Sequence, residues 1–342
     1  MAGSAGEREP RDAASVAIRV RCEPPHQYPG LQLSRRAAAA LTLAAGASAL
    51  WPQRSFAADA SALITKAIPS TGQRLPVIGI GTNSFTESKR DELRQVVKRM
   101  VELGGSVIDT APVYGESEQV LGELIAELGL RDRIFLATKL TAGPMAVPPP
   151  NVDSGVYGQQ SLQRSLERLK TDHLDLLQVH NLLGVEPLWS QLAEWKRARK
   201  IRYIGITTAT PEDHPEMIRL MGKYAVDFVQ VDYSIANRDA ATSVFPVALE
   251  RKIAVIANIP FGGRAGANLT QSQNRPLPPF AVEFGATDWP QLLLKYVVSH
   301  PAVTCTIAGS TRVEHLEDNQ AAARGTLPDA AARRRIERYW DS

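Results

Sequence analysis

The sequence has few cysteines and no long apolar run. Its two cysteines, Cys22 and Cys305, lie far apart in a chain of 342 residues, which excludes a cysteine-based zinc site and a disulfide-rich scaffold. No stretch approaches the roughly 18 to 20 consecutive apolar residues of a membrane-spanning helix, so no stable membrane span is expected. The six histidines lack metal-site spacing, and no metal is expected.

A surplus of charge of one sign is also missing. The chain has 39 Lys and Arg against 36 Asp and Glu, a formal net charge of +3. This balance provides no basic face, so no nucleic-acid partner is expected. Charged residues at 22% and hydrophobic residues at 44% are typical of a globular protein and exclude disordered, collagen-like and coiled-coil classes.

The later part of residues 1–60 has three successive regions that are typical of an export signal. Arg35 and Arg36 precede a weakly apolar stretch at 37–50, and small residues follow at 58–60. This order resembles a twin-arginine leader, which carries folded proteins across the bacterial inner membrane. We therefore expect a removed or disordered leader and a periplasmic protein. The alternative is an alanine-rich surface helix on a cytoplasmic protein.

From residue 76 onward, short Val/Ile/Leu-rich runs alternate with stretches whose apolar residues recur at helical spacing. The predicted strands are 77–80, 106–108, 134–138, 174–179, 203–206, 228–231, 254–257 and 303–307. The predicted helices are 87–103, 117–128, 160–169, 187–198, 211–222, 239–250, 288–299 and one from 312. Eight such pairs in about 250 residues predict an α/β fold, a parallel (β/α)8 TIM barrel, as the single domain 61–342.

Two additions to the barrel are expected. Segments 64–68 and 73–76 flank a Gly-containing turn and predict a β-hairpin that plugs the N-terminal mouth of the barrel. An extra C-terminal helix is predicted at 330–339. A doubly wound sheet is the competing fold, but the turn after the first strand lacks the third glycine of a dinucleotide-binding fingerprint.

Five consecutive predicted strands end in a polar residue: Asp109, Lys139, His180, Thr207 and Gln230. In a parallel barrel these ends lie at one face, where the chemistry of such folds takes place. A single polar residue at a strand end is more often structural than catalytic. The joint occurrence favours an active site.

A tyrosine, Tyr114, follows the second strand on a loop. A phenol is a poor proton donor near neutrality, but a neighbouring ammonium brings its pKa towards the working range, and a carboxylate holds that ammonium in place. Asp109, Lys139 and Tyr114 would supply this set, and His180 would donate to the same substrate oxygen. The arrangement suits reduction of a carbonyl by a hydride donor.

Six motifs resemble the successive signatures of the aldo-keto reductases. They are Gly79-Ile80-Gly81-Thr82, the stretch from Val107 to Gly115, Leu136-Ala137-Thr138-Lys139, the stretch from Asp175 to His180, the stretch from Ile201 to Ile206, and Ile307 to Thr311 with Glu317-Asp318-Asn319. The resemblance implies an NAD(P)H-dependent enzyme that reduces aldehydes or ketones. It implies Tyr114 as general acid, Lys139 and Asp109 as its tuning pair, and His180 as the residue that orients the carbonyl.

The resemblance also implies a cofactor site. The residues expected to line it are Gly81, Thr82, Thr207, Thr208, Gln230, Pro260, Phe261, Gly262, Gly309, Ser310, Thr311, Arg312 and Asn319. The family usually has Ser-Asn where Thr207-Thr208 stand, and often an aromatic residue where Asn258 stands. Ring stacking on the nicotinamide is therefore absent or passes to Phe261.

The phosphate end of this site is expected after the last strand. Thr311 and Glu314 have capping-box spacing at a helix start, and a helix N-terminus binds phosphate. Arg312 suits a ribose 2′-phosphate, so NADP(H) is expected and NAD(H) is the less favoured cofactor. An ordinary capped surface helix is the alternative.

The expected partner is a small carbonyl substrate, with Phe85, Leu182 and Phe261 as candidates for an apolar pocket wall. The sequence does not determine the oligomeric state, for which a monomer is slightly favoured. A second hypothesis is a barrel that keeps the cofactor site but serves as a redox-sensing or partner-binding subunit. The four catalytic candidates favour turnover, whereas export away from the cytoplasmic nicotinamide pool favours the second hypothesis.

Overall fold

A computed structural model describes residues 62–140, 154–263 and 266–342 of the chain. The leader expected at 1–60 lies outside the described residues. Within the part that is described, no helix combines the length and apolar character needed to cross a membrane.

Eight parallel strands close into a barrel in the order β10-β3-β4-β5-β6-β7-β8-β9. Their bounds are β3 (Ile78–Gly81), β4 (Val107–Asp109), β5 (Phe135–Leu140), β6 (Leu174–Val179), β7 (Ile201–Thr207), β8 (Phe228–Asp232), β9 (Ala254–Asn258) and β10 (Val303–Gly309). The barrel closes where Thr306 pairs with Ile78 and Gly309 with Gly81. The predicted TIM barrel is confirmed, and the doubly wound sheet is excluded.

Several strands extend beyond the predicted runs because ladder hydrogen bonds involve the backbone and do not require apolar side chains. Asp109, Lys139 and Thr207 are therefore ladder residues inside β4, β5 and β7, and β10 continues to Gly309.

The helices of the described residues surround the barrel. They are α1 (Arg90–Glu102), α2 (Ser117–Leu128), α3 (Ser154–Arg168), α4 (Val185–Arg197), α5 (His214–Lys223), α6 (Asp239–Thr242), α7 (Val244–Glu250), α8 (Ala267–Ser272), α9 (Trp289–Ser299), α10 (Val313–Ala321) and α11 (Ala330–Asp341). The single helix predicted at 239–250 is wrong, because Ser243 adopts φ −112° and ψ −73° and separates α6 from α7. Helix α8 and the 3-10 turn Pro279–Phe284 were not predicted.

A hairpin covers the N-terminal end of the barrel. Strand β1 (Thr65–Ala67) pairs antiparallel with β2 (Arg74–Pro76). Two hairpin side chains, Ile68 and Leu75, are buried in one cluster with interior residues near the strand starts, including Phe135, Tyr203 and Phe228. The hydroxyls of Thr71 and Tyr203 lie 2.9 Å apart. The hairpin prediction is confirmed, and these contacts close that end of the barrel.

The C-terminal helix α11 packs outside the barrel, as predicted. Its side chains Ile336 and Trp340 are buried in the main core. The carboxylate of Asp329 caps the helix by accepting from the backbone N–H of Ala332 at 2.8 Å. At the other end Arg238 donates to both carboxylate oxygens of Asp341, at 2.9 and 2.6 Å.

Candidate active site

The C-terminal ends of β4, β5 and β6 bring the predicted catalytic groups together. These strands are neighbours, with Asp109 paired to Ala137 and Lys139 paired to Gln178. The Lys139 ammonium donates to Asp109 Oδ2 and, at 3.0 Å, to the carbonyl of Thr110. Both charged side chains are buried, so each depends on the other for compensation.

The charge of Lys139 is maintained by its neighbours. Burial by itself lowers the pKa of the Lys139 ammonium, but the Asp109 carboxylate and the Tyr114 phenol outweigh it and raise this pKa above its ordinary value. Lys139 is therefore a cation throughout the neutral range.

Tyr114 lies on the loop after β4, against this pair. The loop is folded by a hydrogen bond of 3.1 Å from the Tyr114 N–H to the Ala111 carbonyl. The Lys139 Nζ is 5.1 Å from the centroid of the Tyr114 ring. The Tyr114 and His180 rings meet edge-to-face with centroids 6.2 Å apart. The four predicted residues therefore share one site.

His180 directly follows β6 and is neutral. Burial, and then the positive charge of Lys139, lower the pKa of His180 to about 4. A neutral imidazole has one N–H donor, which suits a hydrogen bond to a carbonyl oxygen. The next two residues, Asn181 and Leu182, adopt positive φ values of 52° and 60°, so the chain turns sharply after the histidine.

Gln178 is a further residue of the site that was not predicted from the sequence. Its Nε2 donates to Asp109 Oδ1 at 3.0 Å, and Gln230 Nε2 donates to the same oxygen at 3.0 Å. One signal was available: Gln178 lies two residues after Leu176 on β6 and therefore on the same face, which is the barrel interior. A polar residue at an inward position of an apolar strand marks a buried polar site.

Buried hydroxyls fix the loop that carries Tyr114. Ser117 Oγ lies 2.6 Å from the Thr82 hydroxyl and 2.9 Å from the Thr110 hydroxyl. Thr82 also donates to the Asp109 carbonyl, at 3.2 Å. The fully buried Thr82 side chain is thus engaged within the protein, while its neighbour Gly81 ends β3 at the same face.

The residues expected around the nicotinamide already have partners. Thr207 Oγ1 accepts from the Asn181 N–H at 3.1 Å, and Thr208 Oγ1 donates to Asp213 Oδ2 at 2.7 Å. Asn258 Nδ2 donates to the Thr208 carbonyl at 3.3 Å. The family usually has asparagine at the position of Thr208. In this chain the side-chain carboxamide of Asn258, at the end of β9, contacts Thr208.

The loop after β9 is tightly folded. Ile259 has a positive φ of 53°, a strained conformation for a β-branched residue. Gly262 has φ +73°, and a Cβ there would come within 2.5 Å of Asn268 Oδ1, so any other residue would strain the backbone and displace Asn268. Pro260 is buried and Phe261 is half-buried against the core.

The predicted capping box after β10 is wrong. Helix α10 begins one residue later, with Arg312 as the N-cap in extended conformation and no side-chain cap. Ser310 Oγ donates instead to the Arg312 carbonyl, at 2.8 Å. The first-turn N–H groups are therefore free of a side-chain cap, and this arrangement fits a phosphate group better than a closed box would.

Two further cofactor candidates lie on α10 and at its start. The Arg312 side chain is 65% exposed, with its Nε 3.4 Å from Glu314 Oε2. Asn319 is buried. Gly309 and Thr311 flank Ser310 at the same end of the barrel.

The predicted apolar wall is corrected at one position. Phe85 is buried in the main core, because the turn after β3 directs it inward, so it does not form an exposed wall. Leu182 and Phe261 are only partly buried. Val113, beside Tyr114, is 59% exposed and was not predicted. In the described residues no group of three or more His, Cys, Asp or Glu could hold a metal ion.

Comparison with known proteins identifies the family. A sequence model of the Aldo/keto reductase family matches residues 77–337, most of the chain. The chain belongs to the aldo/keto reductase family. Membership confirms the predicted class of enzyme, an NAD(P)H-dependent oxidoreductase that acts on carbonyl groups.

Several relatives of this aldo-keto reductase are known. Aldo-keto reductase YhdN of Bacillus subtilis is 30% identical over 55% of this chain and 59% of its own length, so the chain spans less than two thirds of that relative. Protein tas of Escherichia coli is 26% identical over 74% of this chain and 90% of its own. Methylglyoxal reductase YeaE of Escherichia coli is 28% identical over 75% and 88%.

Solved structures show the same fold. The holo form of an aldo-keto reductase from Bacillus halodurans superposes with a TM-score of 0.67 at 24% identity, covering 81% of this chain and 96% of that chain. An aldo/keto reductase from Klebsiella pneumoniae in complex with NADP and acetate has a TM-score of 0.63 at 23% identity, covering 79% and 93%.

Proposed function

We propose that this aldo-keto reductase reduces aldehydes or ketones to alcohols with NADPH, and that Tyr114 is the general acid. The observation that carries the proposal is the convergence of Tyr114 with the Asp109–Lys139 ion pair and a neutral His180. An ordinary structural ion pair would not require a phenol and an uncharged imidazole against it.

The proposed mechanism follows from these positions. The substrate oxygen accepts hydrogen bonds from the Tyr114 hydroxyl and the His180 N–H, which together orient the carbonyl. When bound, the reduced nicotinamide supplies the hydride. As negative charge develops on the substrate oxygen, Tyr114 transfers its phenolic proton to it, and the Lys139 cation stabilises the phenolate left behind.

The cofactor would lie along the catalytic face of the barrel. Backbone donors at Gly309 to Thr311 and at the start of α10 would hold phosphate, since that helix start has no side-chain cap. Arg312 would bind the ribose 2′-phosphate, which favours NADPH over NADH. Near the nicotinamide the proposed contacts are Gly81, Thr82, Thr207, Thr208, Gln230, Pro260, Phe261 and Gly262, and near the adenosine Asn319. The Klebsiella pneumoniae relatives, solved with NADP and with NADPH, support this choice.

An assay of NADPH consumption tests the proposal. Purified protein is mixed with NADPH and small aldehydes, methylglyoxal included because one relative is named as its reductase. Aldehyde-dependent consumption that tracks the amount of protein is the expected result. NADPH binding without turnover of any aldehyde or ketone would contradict the enzyme and support the redox-sensing or partner-binding subunit.

We also propose that residues 1–60 act as a twin-arginine leader and that the mature enzyme is a periplasmic monomer. The support is the Arg35-Arg36 pair before the apolar stretch. All four catalytic candidates come from one chain, so a second copy is not needed to complete the site.

A further inference from the structure

The Asp109 carboxylate accepts hydrogen bonds from two amides in addition to its ion pair with Lys139. Its Oδ2 accepts from Lys139, while its Oδ1 accepts from two amides, those of Gln178 and Gln230. We propose that Gln178 is a positioning residue of the reductase: its amide holds Asp109 in the orientation that keeps the Lys139 ammonium aimed at Tyr114. This inference rests on the proposed function.

Gln178 acts through Asp109 and not on a ligand. Its side chain is fully buried within the barrel. Its backbone pairs with Lys139 on one side and Gly205 on the other, so it lies inside the wall formed by β5, β6 and β7. We therefore assign Gln178 no contact with substrate or cofactor and place its role in the hydrogen bond to Asp109.

The packing around Gln178 selects one orientation of its side chain. A Cβ at Gly205 would come within 2.8 Å of Gln178 Cγ, so the glycine leaves the space that the glutamine stem occupies. Gly205 on the neighbouring strand thus accommodates the stem of the side chain whose amide reaches Asp109. The glycine and the glutamine together fix the donor to the carboxylate.

The hydrogen bonds of Gln178 are unequal. Its amide nitrogen has Asp109 as partner, but its Oε1 is buried and has no partner among the described residues. A buried acceptor without a partner is unfavourable, so an apolar side chain of the same size would serve a purely packing role better. The donor to Asp109 is therefore the property that explains glutamine at this position.

The test replaces Gln178 with methionine, which conserves volume and removes the donor. Loss of a hydrogen bond to a charged group is expected to lower kcat roughly 10- to 100-fold. Because Gln178 touches no ligand, KM for the aldehyde and the Kd for NADPH should stay within about three-fold of wild type. A circular-dichroism melt verifies that the variant is folded.

Gln320→Met is the matched control. Gln320 is also buried, also donates one hydrogen bond, at 3.3 Å to the Ile78 carbonyl, and also has an Oε1 without a partner among the described residues. It lies away from the ion pair, so its variant should keep kcat within about two-fold of wild type.

A second variant, Gln178→Glu, keeps the size and makes the donor depend on pH. An ionised carboxylate opposite Asp109 repels it, whereas a protonated carboxyl can donate to it. The other ionisable groups facing this region are Lys139, Tyr114, His180 and Cys305. Burial and the Asp109 charge both raise the pKa of such a carboxyl. From about pH 5, above the pKa of His180 near 4, activity relative to wild type should therefore be highest at the acid end and fall as pH rises and the carboxyl ionises.

Each outcome of these measurements either supports or contradicts the positioning role of Gln178. Gln178→Met with wild-type kcat, or with kcat, KM and Kd all changed together, would overturn the positioning role, as would a Gln178→Glu variant whose relative activity does not fall as pH rises. If Gln178→Met does not fold, the pH profile of Gln178→Glu decides alone. Wild-type protein without any carbonyl reduction would contradict the proposed function instead, so the two failures are distinguishable.

Discussion

Gln230 donates its amide to Asp109 at 3.0 Å, the carboxylate that pairs with Lys139. The residue expected to contact the nicotinamide is therefore bonded to the residues expected to tune the proton donor. A change in the position of Gln230 must alter the environment of Asp109. In this barrel, residues proposed for cofactor binding and for proton donation share one hydrogen-bonded cluster.

We expect Tyr114→Phe to lower kcat by about 10² to 10⁴, because the variant lacks the proposed proton donor. The NADPH Kd, measured by fluorescence, should not change, since the ring remains against Lys139 and His180. Retention of more than about half the wild-type rate at saturating NADPH would show that another group donates the proton.

Arg312→Ala should weaken NADPH binding about 10- to 100-fold and leave NADH almost unaffected, because a charge-assisted hydrogen bond to the 2′-phosphate is lost. The matched variant Glu314→Gln removes the carboxylate 3.4 Å from Arg312 Nε and should slightly strengthen NADPH binding. Dissociation constants for both cofactors check this. Equal losses for NADPH and NADH in Arg312→Ala would mean that the arginine only supports the helix start.

Stability should fall as the solution is acidified from about pH 6.5 towards pH 4. Burial, followed by the charges of Arg333 and Lys66, lowers the pKa of His300 to about 4, and His180 has a similarly lowered pKa. At these two imidazoles the unfolded chain binds more protons than the folded one in this window, so their contribution to the free energy of unfolding decreases as pH falls.

The variant His300→Asn should reduce this dependence, because one of the two buried imidazoles is removed. An asparagine oxygen can still accept from Ala302 N–H, as His300 Nδ1 does at 3.2 Å. Urea unfolding at several pH values measures the effect, with His315→Asn on the exposed face of α10 as control. An unchanged slope in His300→Asn would assign the acid sensitivity to other groups.

Gly262→Ala should destabilise the protein by about 1 to 3 kcal/mol more than Gly263→Ala. Both glycines have positive φ, +73° and +59°, so both variants strain the backbone. Only at Gly262 would the new Cβ meet Asn268, since no other described residue comes within 4 Å of a Cβ at Gly263. Thermal and urea unfolding compare the pair, and equal losses would show that the loop moves to accommodate the methyl group.

Residues 1–60 fused to a reporter that is active only when exported folded should direct it to the periplasm. Changing Arg35 and Arg36 together to lysine should stop export, because the leader is read through its arginine pair. Cell fractionation of the two fusions is the measurement. A reporter that stays cytoplasmic with the natural residues would contradict the leader.

The catalytic face could be predicted from the sequence because parallel strands place their ends together. Asp109, Lys139 and His180 each close an apolar run, so their convergence follows from the barrel alone. Gln178 was not predicted because it lies inside such a run. Only its place on the inward face of β6, which alternate residues share, distinguishes it.

The remaining errors concern local geometry. The N-cap of α10 was predicted at Thr311 from spacing, but Arg312 takes the cap position, and the Ser310 hydroxyl donates to the Arg312 carbonyl. The break at Ser243 and the burial of Phe85 depend on packing against neighbouring elements. A periodic pattern contains no such information.

The hairpin closes the N-terminal end of the barrel, so the candidate site is reached from the opposite end. Ile68 and Leu75 pack against the interior residues at the N-terminal end, and the hydroxyls of Thr71 and Tyr203 are hydrogen-bonded there. Everything that reaches Tyr114 must enter and leave past the same rim. With the N-terminal end closed, the substrate and the cofactor proposed for this face must approach Tyr114 from the same side, so each restricts the path of the other.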